Sequence, residues 1–209
     1  MTVKDRDRLD DHWSRKARSE GYPARSVYKL EEIDLKHRLL KKGMRILDLG
    51  ASPGSWSLYA ADKVAPRGKV LGVDLKPLSG ASRPNLSFLA RDVLTLAPEE
   101  LASEGPFDGV VSDLAPPTTG RRDADAARSL ELAAGALRLA SALLRAGGFF
   151  VAKLFEGADA QAFVKGKVQP LFARAVVMRP KAVRKGSVEI FAVGLERLAG
   201  GPGPGSEAA

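Results

Sequence analysis

Apolar residues recur along the chain as short unbroken runs, separated by polar stretches of helical period. "MRILDLG" (44–50) is one such run closed by glycine, the pattern of a parallel strand covered on both faces. "KVLGVDL" (69–75), "LSFLARD" (86–92) and "FDGVVSDLA" (107–115) repeat it. From Pro23 to about Leu40, Val27, Leu30 and Ile33 or Asp34 fall at helical spacing, and "WSLYAADKVA" (56–65) fits another helix. Residues 125–146 form the strongest helical pattern, with Leu130, Ala134, Leu137, Ala140 and Leu144 on one face and Gly147-Gly148 as its stop. A strand in "GGFFVAKLFEG" (147–157), a helix over 158–169 and two closing strands paired like a hairpin, "RAVVMRP" (174–180) and "SVEIFAVGL" (187–195), complete the series. Residues 1–21 are polar and expected to be a loosely structured extension, 22–197 a single domain, and 198–209, ending in "GGPGPGSEAA", a tail expected to be disordered.

This alternation of strand and helix argues an α/β, doubly wound sheet. Ligands of such sheets bind beyond the carboxyl ends of the strands. Acids fall at those ends: Asp48, Asp74, Asp92 and Asp113. Any one of them could be a loop-start or capping residue, but one at each of four successive strand ends points to a site.

Charge then narrows the partner. The chain carries 33 Lys and Arg against 25 Asp and Glu, a net charge of +8, which favours a polyanion. The excess is clustered: Arg15, Lys16, Arg18 and Arg25; then Lys36, Arg38, Lys41, Lys42 and Arg45; then Arg179, Lys181, Arg184 and Lys185. Nucleic acid is the expected partner. Cysteine is absent, which excludes disulfides and thiolate chemistry, and His12 and His37 cannot make a zinc site alone, so no metal is expected. No apolar run approaches a membrane span and the N-terminus lacks the apolar core of a signal peptide, so a cytoplasmic protein is expected, acting as a monomer.

"DLGASPGSW" (48–56) places Gly50 and Gly54 between a strand and a helix, where backbone can approach a ligand. Asp74, 20 residues past Gly54, holds the position where an acid accepts hydrogen bonds from ribose hydroxyls. The dinucleotide fingerprint is not met, since Ser52 and Pro53 occupy its places, and no P-loop lysine follows. A nucleoside cofactor without phosphates, S-adenosylmethionine, fits this loop, with Asp92 placed to meet the adenine amino group.

Lys153 sits inside the apolar run "FFVAKLF". Lysine is rarely buried without a partner. Read alone it is a residue snorkelling at a strand end, Lys29 a solvated helix residue and Glu189 an edge-strand acid. Together, "ARSVYKLEEID" (24–34), "DLGASPGSW", "VVSDLAP" (110–116), "FFVAKLFEG" (149–157) and "RPKAVRKGSVEIFAV" (179–193) closely resemble, in order and spacing, the FtsJ/RrmJ family of RNA ribose 2′-O-methyltransferases. The resemblance spans about residues 10 to 195 and implies a Rossmann-like class I fold: a mostly parallel seven-stranded sheet, helices on both faces, one antiparallel closing strand. It implies a catalytic tetrad of Lys29, Asp113, Lys153 and Glu189, and cofactor contacts from Gly50, Gly54, Trp56, Asp74, Asp92 and Asp113. It also implies a uridine ribose of large-subunit ribosomal RNA as acceptor, met on the assembled subunit through Arg25, Lys36, Arg38, Arg179, Lys181, Arg184 and Lys185. Ser52 and Ser55 depart from the family's first motif by small changes, and Pro117 stands where the family has Asn.

A 2′-hydroxyl is a poor nucleophile, and transfer to it needs in-line approach with removal or redirection of its proton. A lysine desolvated beside a second lysine is driven toward the neutral amine such a step can use. Trp13, Tyr22 and Tyr28 could stack on bases or pack under the N-terminal segment. Transfer RNA as acceptor, a non-catalytic RNA-binding assembly factor and a small-molecule methyltransferase are the competing functions.

Overall fold

The computed structural model describes residues 12–79, 82–184 and 186–200. Expectations for residues 1–11, for Lys185 and for the tail from 201 on lie outside the described residues. A helix α1 (12–19) precedes α2 (Val27–His37), β1 (Arg45–Leu49), α3 (Ser55–Val64), β2 (Lys69–Asp74), β3 (Leu86–Ala90), β4 (Phe107–Ser112), α4 (Arg122–Leu143) and β5 (Leu144–Phe155). Then come α5 (Ala158–Phe163), β6 (Phe172–Met178) and β7 (Glu189–Arg197).

The strands form one seven-stranded sheet in the order β3-β2-β1-β4-β5-β7-β6, parallel except for β7, which runs antiparallel to both neighbours. The expected closing pair is present, but β7 lies inside it and β6 at the edge. Side chains alternate across a strand, and here both faces are apolar. Leu47, Leu49, Val73, Val110, Phe150, Ala152 and Leu154 face α4 and α5, whereas Ile46, Val70, Val111, Phe149, Val151 and Phe191 face α2 and α3. Lys153 continues the row Phe149, Val151 on the second face, so its burial follows from strand parity.

Three local expectations are corrected. The extension is not wholly loose: α1 buries Ala17 and sets Trp13 against Tyr28, ring centroids 4.9 Å apart. The buried face of α4 is Ser129, Ala133, Ala136, Leu137, Ala140 and Leu143 rather than the row through Ala134. Buried polar groups shifted that reading. Asp125 accepts hydrogen bonds from Thr119 and Gly120 main-chain N–H groups, and Ser129 Oγ accepts one from Phe155 N at 3.0 Å. Lastly, α4 ends at Leu143, before the glycines. Gly147 and Gly148 fall where β5 slips register against β4, between the Phe107–Leu144 and Gly109–Phe149 pairs.

Candidate active site

A cavity of about 580 Å³ opens where the parallel strands end, within the range of small-molecule sites. Gly50 after β1, Asp74 closing β2, Asp92 after β3 and Asp113 after β4 line it, with Ser52, Pro53, Leu114, Pro117 and Leu132. Order β2-β1-β4 puts the topological switch of the sheet at its floor. Gly50 has φ 79°, and a Cβ there would lie 2.8 Å from Leu114 Cδ2. Its missing side chain therefore lets the loop after β4 close over the loop after β1. Asp74 accepts hydrogen bonds from Ser52 N at 3.0 Å and Lys76 N at 2.9 Å, which fixes its carboxylate at the cavity wall. Asp92 Oδ1 accepts one from Leu94 N at 2.9 Å. Pro117, in the place of the expected Asn, adds an apolar wall.

Asp48 is the exception among the strand-end acids. It lies within β1, fully buried, and does not line the cavity. Ser57 Oγ donates to its Oδ2 at 2.5 Å, while Oδ1 has no hydrogen-bond partner. Burial pushes this carboxyl up to about 7 against the hydrogen bond from Ser57, with the charges of Asp113 and Asp74 adding to the rise.

The residues expected to carry the chemistry converge from distant parts of the chain. Glu189 Oε2 lies 2.6 Å from Lys29 Nζ, Lys29 Nζ 3.9 Å from Asp113 Oδ1, and Asp113 Oδ1 2.9 Å from Lys153 Nζ. Acid and amine thus alternate in a row. The 2.9 Å contact is an ion pair whose angle is not that of a hydrogen bond; Lys153 Nζ donates instead to the Asp113 main-chain carbonyl at 2.6 Å. The Lys153 side chain is 4% exposed and that of Lys29 11%, so the carboxylates are the groups placed to offset positive charge taken out of water. Strand register brings Lys153 opposite Phe191 and Phe155 opposite Glu189, so Lys153 and Glu189 share one face two positions apart. Asp113 belongs to both groups: it lines the cavity and pairs with the lysines.

Docking of α2 on α3 sets Lys29. Ser55 Oγ donates to Ala24 O at 3.0 Å and accepts from Ala24 N at 2.8 Å. Trp56 Nε1 donates to Ser26 O at 2.8 Å, and Tyr59 Oη donates to the buried Asp34 at 2.9 Å. The Ser55 departure is thus a structural link, and Asp34, ambiguous in the helical pattern, is the anchor of α2. Nothing in the sequence pattern distinguishes these polar links from surface residues.

Gly54 and Trp56 do not line the cavity. Gly54 caps α3 at φ 117°, and Trp56 is buried under α2 with its ring against Phe191. Of the expected RNA contacts, Arg25 and Arg184 line a second hollow of about 190 Å³ with Lys29, Glu189, Ser26 and Ser187. Lys181, exposed, lines a groove with Trp13, Lys16 and Tyr28. Arg179 is held by Glu156 and by the Ser187 carbonyl, bracing the segment before β7. Lys36 and Arg38 sit at the far end of α2: His37 between them feels the charge of Arg174 near the start of β6, a strand whose other end faces the site. Tyr28 is buried, its hydroxyl donating to Glu20 at 2.9 Å and Lys16 Nζ lying 4.5 Å from its ring centre, which is the packing role rather than base stacking. Among the described residues no helix is long and apolar enough to cross a membrane, and no acid or histidine cluster could hold a metal.

The family model described as FtsJ-like methyltransferase matches residues 22–197. A protein of Sorangium cellulosum, "Ribosomal RNA large subunit methyltransferase E", is 49% identical over 193 residues, covering 91% of this chain and 90% of its own. One of the same name from Oleidesulfovibrio alaskensis is 48% identical over 188 residues, with 88% and 90% covered. A solved structure described as a ribosomal RNA methyltransferase from Plasmodium falciparum superposes with TM-score 0.74 at 26% identity, covering 85% of this chain and 99% of that one.

Proposed function

The chain belongs to the FtsJ-like methyltransferases, and from that membership we propose that it transfers a methyl group from S-adenosylmethionine to the 2′-hydroxyl of a uridine ribose in large-subunit (23S) ribosomal RNA. We place the reaction in the cytoplasm and on the assembled subunit. The observation that carries the reading is the position of Asp113, which lines the cofactor-sized cavity and pairs with both buried lysines.

In this reading the cavity of about 580 Å³ takes the cofactor. Asp74 accepts from the ribose hydroxyls and Asp92 from the adenine amino group. Bound there, the cofactor would supply an electrophilic sulfonium methyl to the ribose 2′-oxygen, whose proton this chain's own residues must manage. Lys29, held by Glu189, binds the acceptor ribose. Lys153 meets the 2′-oxygen with the N–H directions that Asp113 leaves uncommitted. As an amine it takes the proton; as an ammonium it turns an oxygen lone pair toward the methyl. A rate that climbs with pH marks the amine, and a flat profile the ammonium. Arg25, Lys181 and Arg184 beside the tetrad meet the RNA phosphates, which makes binding fall steeply with salt.

Labelled cofactor offered with large ribosomal subunits or with transfer RNA tests the proposal. Label is expected in 23S RNA with the native protein, and none with Lys153→Ala, which still binds cofactor. Label in transfer RNA alone, or undiminished transfer by Lys153→Ala, would overturn it.

A further inference from the structure

The turn that presents Asp92 to the cavity is held by one helix. Within the turn, Asp92 O accepts hydrogen bonds from Leu96 N at 2.9 Å and Thr95 N at 3.2 Å, and Asp92 Oδ1 accepts from Leu94 N. This folds residues 92–96 into a single tight loop. On α4, Arg138 Nη2 donates toward the carbonyls of Leu96 at 2.9 Å, Val93 at 3.3 Å and Leu94 at 3.5 Å. One guanidinium thus gathers three of the turn's main-chain acceptors. A second contact of the same pair of segments stands on different residues. A Cβ on Gly135 would lie 3.0 Å from Leu94 Cδ2, so the tip of Leu94 approaches α4 closely at this bare backbone position. Leu132, Gly135 and Arg138 recur every third residue along one stripe of the helix. Leu132 reaches the cavity wall, Gly135 meets Leu94 and Arg138 ties the carbonyls.

Charged donors on neutral carbonyls make stronger bonds than neutral ones, and a binding carboxylate gains affinity when its backbone is fixed before the ligand arrives. From this geometry we infer that Arg138 is a positioning residue for the adenine end of the cofactor, acting through the Asp92 turn. The inference rests on the reading of the cavity as the S-adenosylmethionine site.

Arg138→Met keeps the aliphatic stem and removes the donors. Calorimetric titration with S-adenosylmethionine is expected to show affinity about tenfold weaker, with the loss falling on binding rather than on turnover at saturating cofactor. Arg138→Lys should recover part of it. Asp92→Asn supplies the readout that general loosening of the fold would not move. If Arg138 acts through Asp92, Arg138→Met weakens an Asp92→Asn protein much less than it weakens the native one. Equal losses in both backgrounds, or unchanged affinity in Arg138→Met, would overturn the proposal. Should Arg138→Met fail to fold, Arg138→Lys takes its place, since one ammonium cannot serve the three carbonyls as the guanidinium does, and the same non-additivity with Asp92→Asn is expected. A native protein with no affinity for S-adenosylmethionine would sink the cavity assignment, and this inference with it. Native binding with additive losses sinks the inference alone.

Discussion

The two halves of the crevice are built by opposite means. On the cavity side, acids at or just past successive strand ends are fixed by main-chain groups, as Asp74 is by Ser52 and Lys76 and Asp92 by Leu94. On the other side the groups stand on regular elements, Lys29 on α2, Lys153 on β5 and Glu189 on β7, and are fixed by one another. Such an acid can be shaped by its neighbours in sequence. A row of buried charges requires four parts of the chain to arrive together. That difference separates recognition of a small molecule, which local turns supply, from chemistry, which needs the whole fold. Asp113 alone stands in both halves.

Substitutions that divide the halves test this, and the largest effect belongs to the shared residue. Asp113→Asn is expected to cut methyl transfer about a thousandfold, in the range of lost proton-handling groups, and also to weaken cofactor binding measured by titration. A variant that loses turnover with cofactor affinity intact would place Asp113 in the tetrad half only. Glu189→Gln comes next: Lys29 loses its charged partner at 2.6 Å, the 3.9 Å contact to Asp113 becomes its one carboxylate contact in the tetrad, and single-turnover rates should fall about a hundredfold with cofactor affinity unchanged. Asp74→Asn reverses the pattern, raising the cofactor dissociation constant about tenfold with little change in the saturated rate.

The smallest effect on methyl transfer falls outside both halves, at Asp48, where the change appears in stability instead. Its folded value of about 7 lies above the ordinary carboxyl value, so between about pH 4 and 7 the folded state binds the extra proton. Stability therefore declines as pH rises through that window and levels above it. Asp48→Asn should flatten the decline, read as urea midpoints across pH 4 to 8. A parallel slope in the variant would assign it to other groups.

Much of this was legible in the sequence, for identifiable reasons. The strands β1, β2 and β4 read clearly because burial on both faces leaves an unbroken apolar run that a loop closes. Their acids were visible as the polar residues ending those runs. The tetrad was readable only jointly: Lys29 looks like any solvated helix lysine until three other motifs stand at the right distances along the chain. What stayed hidden depends on direction. Lys36 and Arg38 neighbour Lys29 in sequence, but a helix carries them to its opposite end. Trp56 follows the glycine loop, yet its helix turns it under α2, away from the cavity. Arg138 was invisible because its partners are carbonyls, which every residue possesses. The stop of α4 was misplaced because Gly147-Gly148 reads as a helix end when it marks a slipped strand pairing.

The placement of β7 has a consequence for the timing of competence during synthesis. This strand is the last among the described residues, yet it lies between β5 and β6 and brings Glu189 to Lys29. While residues from 189 onward are still missing, β6 has no inner neighbour to pair with and Lys29 lacks its 2.6 Å partner. The loops around Asp74 and Asp92, drawn from the first half of the chain, need not wait for it. In the proposed reading, a nascent chain holds the cofactor-side residues before Glu189 is available to Lys29, and pairing of this one late strand is what completes the row of four.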